Sequence, residues 1–178
     1  MAGRRSTVPN SPLSFTEAAL AGVWFVDCQT FVDERGTLMP TWLEHDFRTR
    51  GLDTRIAQTS LATNTRRNTL RGMHYQVPPH AEVKCVRAIR GAIYDVVVDM
   101  RPDSPTRFQW VGVELSAANR RMIYIPQGFA HGYQTLTDDA DVLYLVSATY
   151  SAAHQRGARW DDPAFAITWP LGAPAVIN

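Results

Sequence analysis

At 178 residues, 45% apolar and 20% charged, the chain is sized for one globular domain with a proper core. A formal charge of +1, with the arginine pairs Arg4-Arg5, Arg66-Arg67 and Arg120-Arg121 scattered along the chain, excludes a general nucleic-acid binder, which needs a basic face. No stretch has the length or apolar character of a signal peptide or a membrane span, so the sequence predicts a soluble, cytoplasmic protein.

In chain order, residues 1–14 are polar and proline-containing and read as a flexible N-terminal arm, with residues 15–178 as a single domain. Thr16-Glu17-Ala18-Ala19-Leu20 suggests one helical turn. Residues 23–32 are β-branched and aromatic, predict a strand, and run into a turn at Asp33-Glu34-Arg35-Gly36. Residues 43–50 carry apolar groups at helical spacing and stop at Gly51. From there the pattern is strand after strand: 56–63, Thr69–Gln76, 83–89, Ala92–Asp99, 107–115, Met122–Ile125, 131–136 and 142–148. Turn residues separate them, as at Pro102-Asp103-Ser104-Pro105 and Pro126-Gln127-Gly128. Eight short strands with little helix between them predict an all-β, double-sheet jelly roll. Cys28 and Cys85 lie far apart in apolar runs and read as buried free thiols.

The chemistry concentrates in Thr69-Leu70-Arg71-Gly72-Met73-His74 and the following strand with Lys84. Arg71 and His74 have opposite parity and point apart in a regular strand. Gly72 between them is the residue of a β-bulge, which turns both to one side. Lone histidines and tyrosines in strands are ordinarily structural. His74 exceeds that default because two cations, Arg71 and Lys84, stand near it in sequence. His131 and Tyr144 taken alone do not. A metal is not expected: metal-binding barrels of this kind offer two histidines one residue apart, and neither His74 nor His131 has such a neighbour.

Beyond single residues, the chain resembles the dTDP-4-dehydrorhamnose 3,5-epimerase family from about residue 22 to 170. The resemblance rests on Asp33-Glu34-Arg35-Gly36, Leu70-Arg71-Gly72-Met73-His74-Tyr75-Gln76, Lys84-Cys85-Val86-Arg87 and Trp110-Val111-Gly112-Val113-Glu114-Leu115-Ser116. Ile125-Pro126-Gln127-Gly128-Phe129-Ala130-His131-Gly132, Tyr144 and Arg156-Gly157-Ala158-Arg159-Trp160-Asp161-Asp162-Pro163 complete it. It implies a cupin-type jelly roll, a homodimer sharing a strand near the substrate, and epimerisation of a dTDP-4-keto-6-deoxyhexose at C3, C5 or both. The alternatives are a single-centre epimerase and a catalytically impaired nucleotide-sugar binding protein.

By resemblance, His74 is the general base, Tyr144 the proton donor, and Lys84 and His131 surround the sugar. Arg35 and Arg71 contact the nucleotide sugar, Tyr150 stacks on thymine, and Gln58 touches the nucleotide. The chain departs from the family at Pro40 and Gln155, where glutamates are usual, and at Leu145, where a lysine is common. The family aspartate that orients the base histidine follows the final Trp-Pro; no aspartate follows Trp169-Pro170 here. The residue types suit the chemistry on their own account. A hydrogen beside a ketone leaves as a proton to a neutral imidazole, a nearby ammonium stabilises the enolate, and a phenol on the other face returns a proton. No cofactor is required.

Overall fold

Two facing β-sheets organise the computed structural model, which describes residues 5–6 and 11–177. The strands are β1 (Arg5–Ser6), β2 (Leu13–Glu17), β3 (Trp24–Cys28), β4 (Phe31–Asp33), β5 (Gly36–Leu38), β6 (Gln58–Asn64), β7 (Thr69–Gln76) and β8 (Lys84–Arg90). They continue as β9 (Ala92–Asp99), β10 (Trp110–Ser116), β11 (Met122–Ile125), β12 (Phe129–Thr135), β13 (Ala140–Val146), β14 (Gln155–Gly157) and β15 (Val176–Ile177). One short helix, α1 (Glu44–Arg48), sits between β5 and β6. A seven-stranded sheet runs β1-β2-β3-β11-β8-β13-β6, and a six-stranded sheet contains β10-β9-β12-β7-β14 with β15 alongside β7. The all-β cupin jelly roll expected from the sequence is the fold observed.

Three of the expected strands, β7, β9 and β11, have the predicted bounds, and the others shift by a few residues. The helical turn expected at residues 16–20 is not formed: Thr16 and Glu17 complete β2, paired with Phe25 and Trp24 of β3. Leu13 and Phe15 are buried with Ser14 exposed between them, and Thr16 is paired on both sides, to Arg5 of β1 and Phe25 of β3, so sheet pairing outweighs one isolated turn of helix. Most of the arm assigned to residues 1–14 lies outside the described residues; Leu13 and Ser14 belong to β2. Both cysteines are free, Cys85 buried and Cys28 partly so.

Strand parity divides the core. On β9, Ile93 and Val97 face the space between the sheets, with Val86 and Ala88 of β8 and Val142 of β13. Val96 and Val98 face the other way, into a layer closed by Phe165 and Trp169 of the C-terminal segment. Covering β9 on both faces explains its near-continuous apolar sequence. Each fully buried aliphatic side chain contributes roughly 1.5–3 kcal/mol.

The regularity breaks at one place. His131 of β12 pairs with His74 of β7, and Tyr133 pairs with Arg71, so two residues of β7 oppose the single residue Gly132. The extra residue reverses parity: Leu70 and Met73, three apart, both enter the outer core layer. Arg71 and His74 consequently both face the space between the sheets. Gly72 occupies φ 122°, and a Cβ there would stand 2.5 Å from the Gly132 Cα and 2.7 Å from the His131 carbonyl oxygen. Only glycine fits this turn of the chain.

Gly72→Ala should therefore destabilise the protein by roughly 1–3 kcal/mol from backbone conformation alone, with the clash adding to it. Urea denaturation measures this directly; unchanged stability would mean that the bulge is not strained by a side chain.

Candidate active site

Between the two sheets lies a cavity of about 220 Å³ lined by Ala62, Arg71, His74, Lys84, His131 and Tyr144. Its walls come from different sheets. Arg71 and His74 on β7 and His131 on β12 form one side; Ala62 on β6, Lys84 on β8 and Tyr144 on β13 form the other. In an otherwise aliphatic interior, each polar group needs a partner to offset its desolvation.

Arg71 Nε donates to Asn64 Oδ1 at 2.8 Å, and the Tyr133 hydroxyl donates to the same oxygen at 3.3 Å. Asn64 is itself held by a bond from Nδ2 to the Ala140 carbonyl, 2.9 Å. Lys84 Nζ lies 2.9 Å from Glu82 Oε1 and donates to the His74 carbonyl at 3.2 Å. His131 Nε2 lies 2.7 Å from Asp95 Oδ2, in a pair almost wholly out of solvent. Asp95 Oδ1 is buried without a hydrogen-bond partner among the described residues. The His131 ring meets the Tyr144 ring edge-on at a centroid distance of 6.1 Å.

The electrostatics follow from burial. Desolvation, then the Lys84 ammonium and His131, lower the His74 pKa below the usual 6.5, while Glu82 opposes them. Burial raises the Tyr144 phenol well above 10, and its hydrogen bond to Tyr133 adds to the shift, so Tyr144 is protonated at neutral pH. Burial likewise raises the Asp95 carboxyl, against the pull of His131. At neutral pH the cavity thus presents a neutral imidazole on one wall and a phenol holding its proton on the other.

The remaining residues singled out from the sequence lie elsewhere. Arg35 sits at the tip of the β4–β5 hairpin, with 86% of its side chain exposed and paired to Asp33. Gln58 Oε1 accepts a bond from the Tyr150 backbone N–H at 3.2 Å, so these two are neighbours, and the Tyr150 ring is exposed. Two polar groups escaped sequence reasoning. Asp95 shares parity with Ile93 and Val97, and a carboxylate on a core-facing position is a signal that could have found it. Glu82, two residues before Lys84 and so on the same side of an extended chain, carried a similar signal. Among the described residues, no three His, Cys, Asp or Glu side chains are grouped to hold a metal ion.

A cupin jelly roll with an imidazole and a phenol on facing walls of one cavity has the groups that acid–base chemistry uses. Comparison narrows it. The profile of the family described as dTDP-4-dehydrorhamnose 3,5-epimerase matches residues 17–178. A dTDP-4-dehydrorhamnose 3,5-epimerase of Sinorhizobium fredii is 42% identical over 164 residues, covering 92% of this chain and 84% of its own. A dTDP-4-dehydrorhamnose 3-epimerase of Streptomyces niveus is 36% identical over 156 residues, covering 87% of this chain and 75% of its own. The crystal structure of dTDP-6-deoxy-D-glucose-3,5-epimerase from Legionella pneumophila, in complex with dTDP-4-keto-L-rhamnose, superposes with a TM-score of 0.88. It is 32% identical and covers 93% of this chain and 88% of that one. The chain belongs to the dTDP-4-dehydrorhamnose 3,5-epimerase family and is an isomerase by that membership.

The depressed pKa has a direct readout. NMR titration of the His74 ring should give a midpoint below 6.5, because its charged form is desolvated beside an ammonium. A midpoint at or above 6.5 would contradict this description of the cavity.

Proposed function

We propose that the chain epimerises a dTDP-4-keto-6-deoxyhexose beside its ketone, at C3, C5 or both, in deoxysugar biosynthesis in the cytoplasm. The observation that carries this reading is the placement of His74 and Tyr144 on opposite walls of one cavity. Inversion needs a proton removed from one face of a ring and another delivered to the opposite face. His74, neutral at working pH, abstracts the hydrogen next to the carbonyl. Lys84 faces the developing enolate oxygen, where a fixed positive charge in a dry site is worth most. Tyr144 gives its proton from the other wall. Arg71 reaches the diphosphate, a geometry that suits the guanidinium fork. His131, braced by Asp95, lines the sugar site.

Gln58 and Tyr150 form the nucleotide end, with the exposed Tyr150 ring as the stacking surface for thymine. Arg35 completes the diphosphate grip from a second copy of the chain. The support is the hairpin itself, which exposes 49% of Phe31, 74% of Val32 and 74% of Leu38 beside Arg35. An exposed apolar ribbon with free strand edges is the kind of element that adds to another sheet. Inversion at a single centre is the second reading, favoured by the similarity to the Streptomyces niveus 3-epimerase. It shares the base, acid and oxyanion cation.

Two heavy-water experiments with dTDP-4-keto-6-deoxyglucose test the assignment. His74→Ala should cut both deuterium uptake and inversion by on the order of 10²–10⁴. Tyr144→Phe, which removes only the phenolic proton, should leave uptake with retained configuration while inverted product falls steeply. If uptake and inversion fall by the same factor in Tyr144→Phe, Tyr144 is not a separate acid.

For the nucleotide grip, Arg35→Ala should weaken dTDP binding by about tenfold, roughly the loss of one charge-assisted contact, and affect kcat less. Calorimetry checks the affinity, and sedimentation of the wild type should give a dimer. Unchanged affinity would remove Arg35 from the site.

A further inference from the structure

We propose that Glu82 is a positioning residue of this active site, one that holds the Lys84 ammonium in place and sets the local charge around His74. This rests on the epimerase reading above. Glu82 and Lys84 lie two apart on an extended segment and share a side, and their charged ends meet at 2.9 Å. Both are nearly closed off from solvent, with side-chain exposures of 11% and 13%. Glu82 is not free to follow the lysine. Its other oxygen, Oε2, accepts from Gln76 Nε2 at 2.9 Å. Gln76, 3% exposed, is in turn fixed by the His80 and Thr149 carbonyls and by the Ser151 N–H, which donates to Gln76 Oε1 at 2.6 Å.

The consequence for Lys84 is directional. An ammonium has three donors. Glu82 takes one and the His74 carbonyl a second, which leaves the third for the cavity that Lys84 lines. A lysine stem is long and flexible, so an unanchored ammonium would sample many positions, and misplacement by about 1 Å costs up to about 10² in rate. Buried ion pairs add little net stability once desolvation is counted, so the value of this pair lies in where it puts the charge.

The consequence for His74 is electrostatic. Facing it are Lys84 and Glu82 at the β8 end, His131 of β12, and Arg71 and Tyr144 in the same cavity; Arg159 and Asp161 share a second hollow with it on the outer side of β7. Lys84 and His131 disfavour the imidazolium, whereas Glu82 favours it. Glu82 therefore keeps the imidazole basic enough to take a proton while a cation stands beside it.

Two variants of the full chain separate these effects. Glu82→Gln removes the charge; the His74 titration seen by NMR, and the acid limb of kcat/KM with it, should move to lower pH. In the same variant kcat should fall by about tenfold or more with KM within about twofold. Glu82→Asp keeps the charge but ends one methylene short of Lys84; its His74 titration should stay near wild type while kcat remains low. An unmoved titration in Glu82→Gln would overturn the electrostatic role, and wild-type kcat in Glu82→Asp would overturn the anchoring role. Should Glu82→Gln fail to fold, a His74 titration in Glu82→Asp well below that of the wild type would overturn the electrostatic role, since the charge is kept there. If the wild type exchanges no substrate hydrogen, the epimerase reading fails by itself, and the His74 titrations still decide the role of Glu82.

Discussion

Everything in the site depends on one backbone constraint, the bulge at Gly72. A strand sends alternate side chains to opposite faces, so Arg71 and His74 belong on different sides of a regular β7. The extra residue opposite Gly132 puts both into the cavity while keeping Leu70 and Met73 in the outer core layer. The close approach of Gly72 and Gly132 leaves no room for a Cβ on either: at Gly132 one would stand 2.7 Å from the Met73 sulfur. Packing is thus preserved on one face of the strand, and the other face gains a guanidinium and an imidazole, Arg71 and His74.

Around that irregularity the sandwich supplies rigidity and low dielectric. Aliphatic side chains from both sheets surround the polar cluster, and each polar group is tied to a fixed partner: Arg71 to Asn64, His131 to Asp95, Lys84 to Glu82. Fixed partners matter more than the number of charges. A desolvated group held in one position loses no reorganisation energy when charge develops beside it. The same burial that depresses the His74 pKa elevates that of Tyr144, so one environment gives the two groups the complementary protonation states that a proton relay across a ring requires.

Much of this was legible in the sequence, for identifiable reasons. β7, β9 and β11 were readable to the residue because apolar runs end at glycine, proline or a polar turn. The bulge was readable because glycine separates two functional side chains of opposite parity. Residues 16–20 misled, because a Thr-Glu-Ala-Ala-Leu run has helical composition while the pairing of β2 with β3 decides its state. Asp95 was hidden in an apolar run, although strand parity places it with the core-facing Ile93 and Val97, and Glu82 was missed because it lies just before β8. The turn that carries Arg35 was readable from its composition, but the exposure of its side chain gives no local sign of a ligand.

The central claim is that the proton removed and the proton delivered travel through different groups on opposite walls. A single turnover in heavy water, with enzyme in excess over dTDP-4-keto-6-deoxyglucose, tests it most directly. Every inverted carbon should carry a deuteron from the first turnover, because the abstracted proton stays on His74 and Tyr144 supplies one equilibrated with solvent. Inverted product that retains the original hydrogen at the inverted carbon would contradict the account, since one group would then have carried the same proton across both faces.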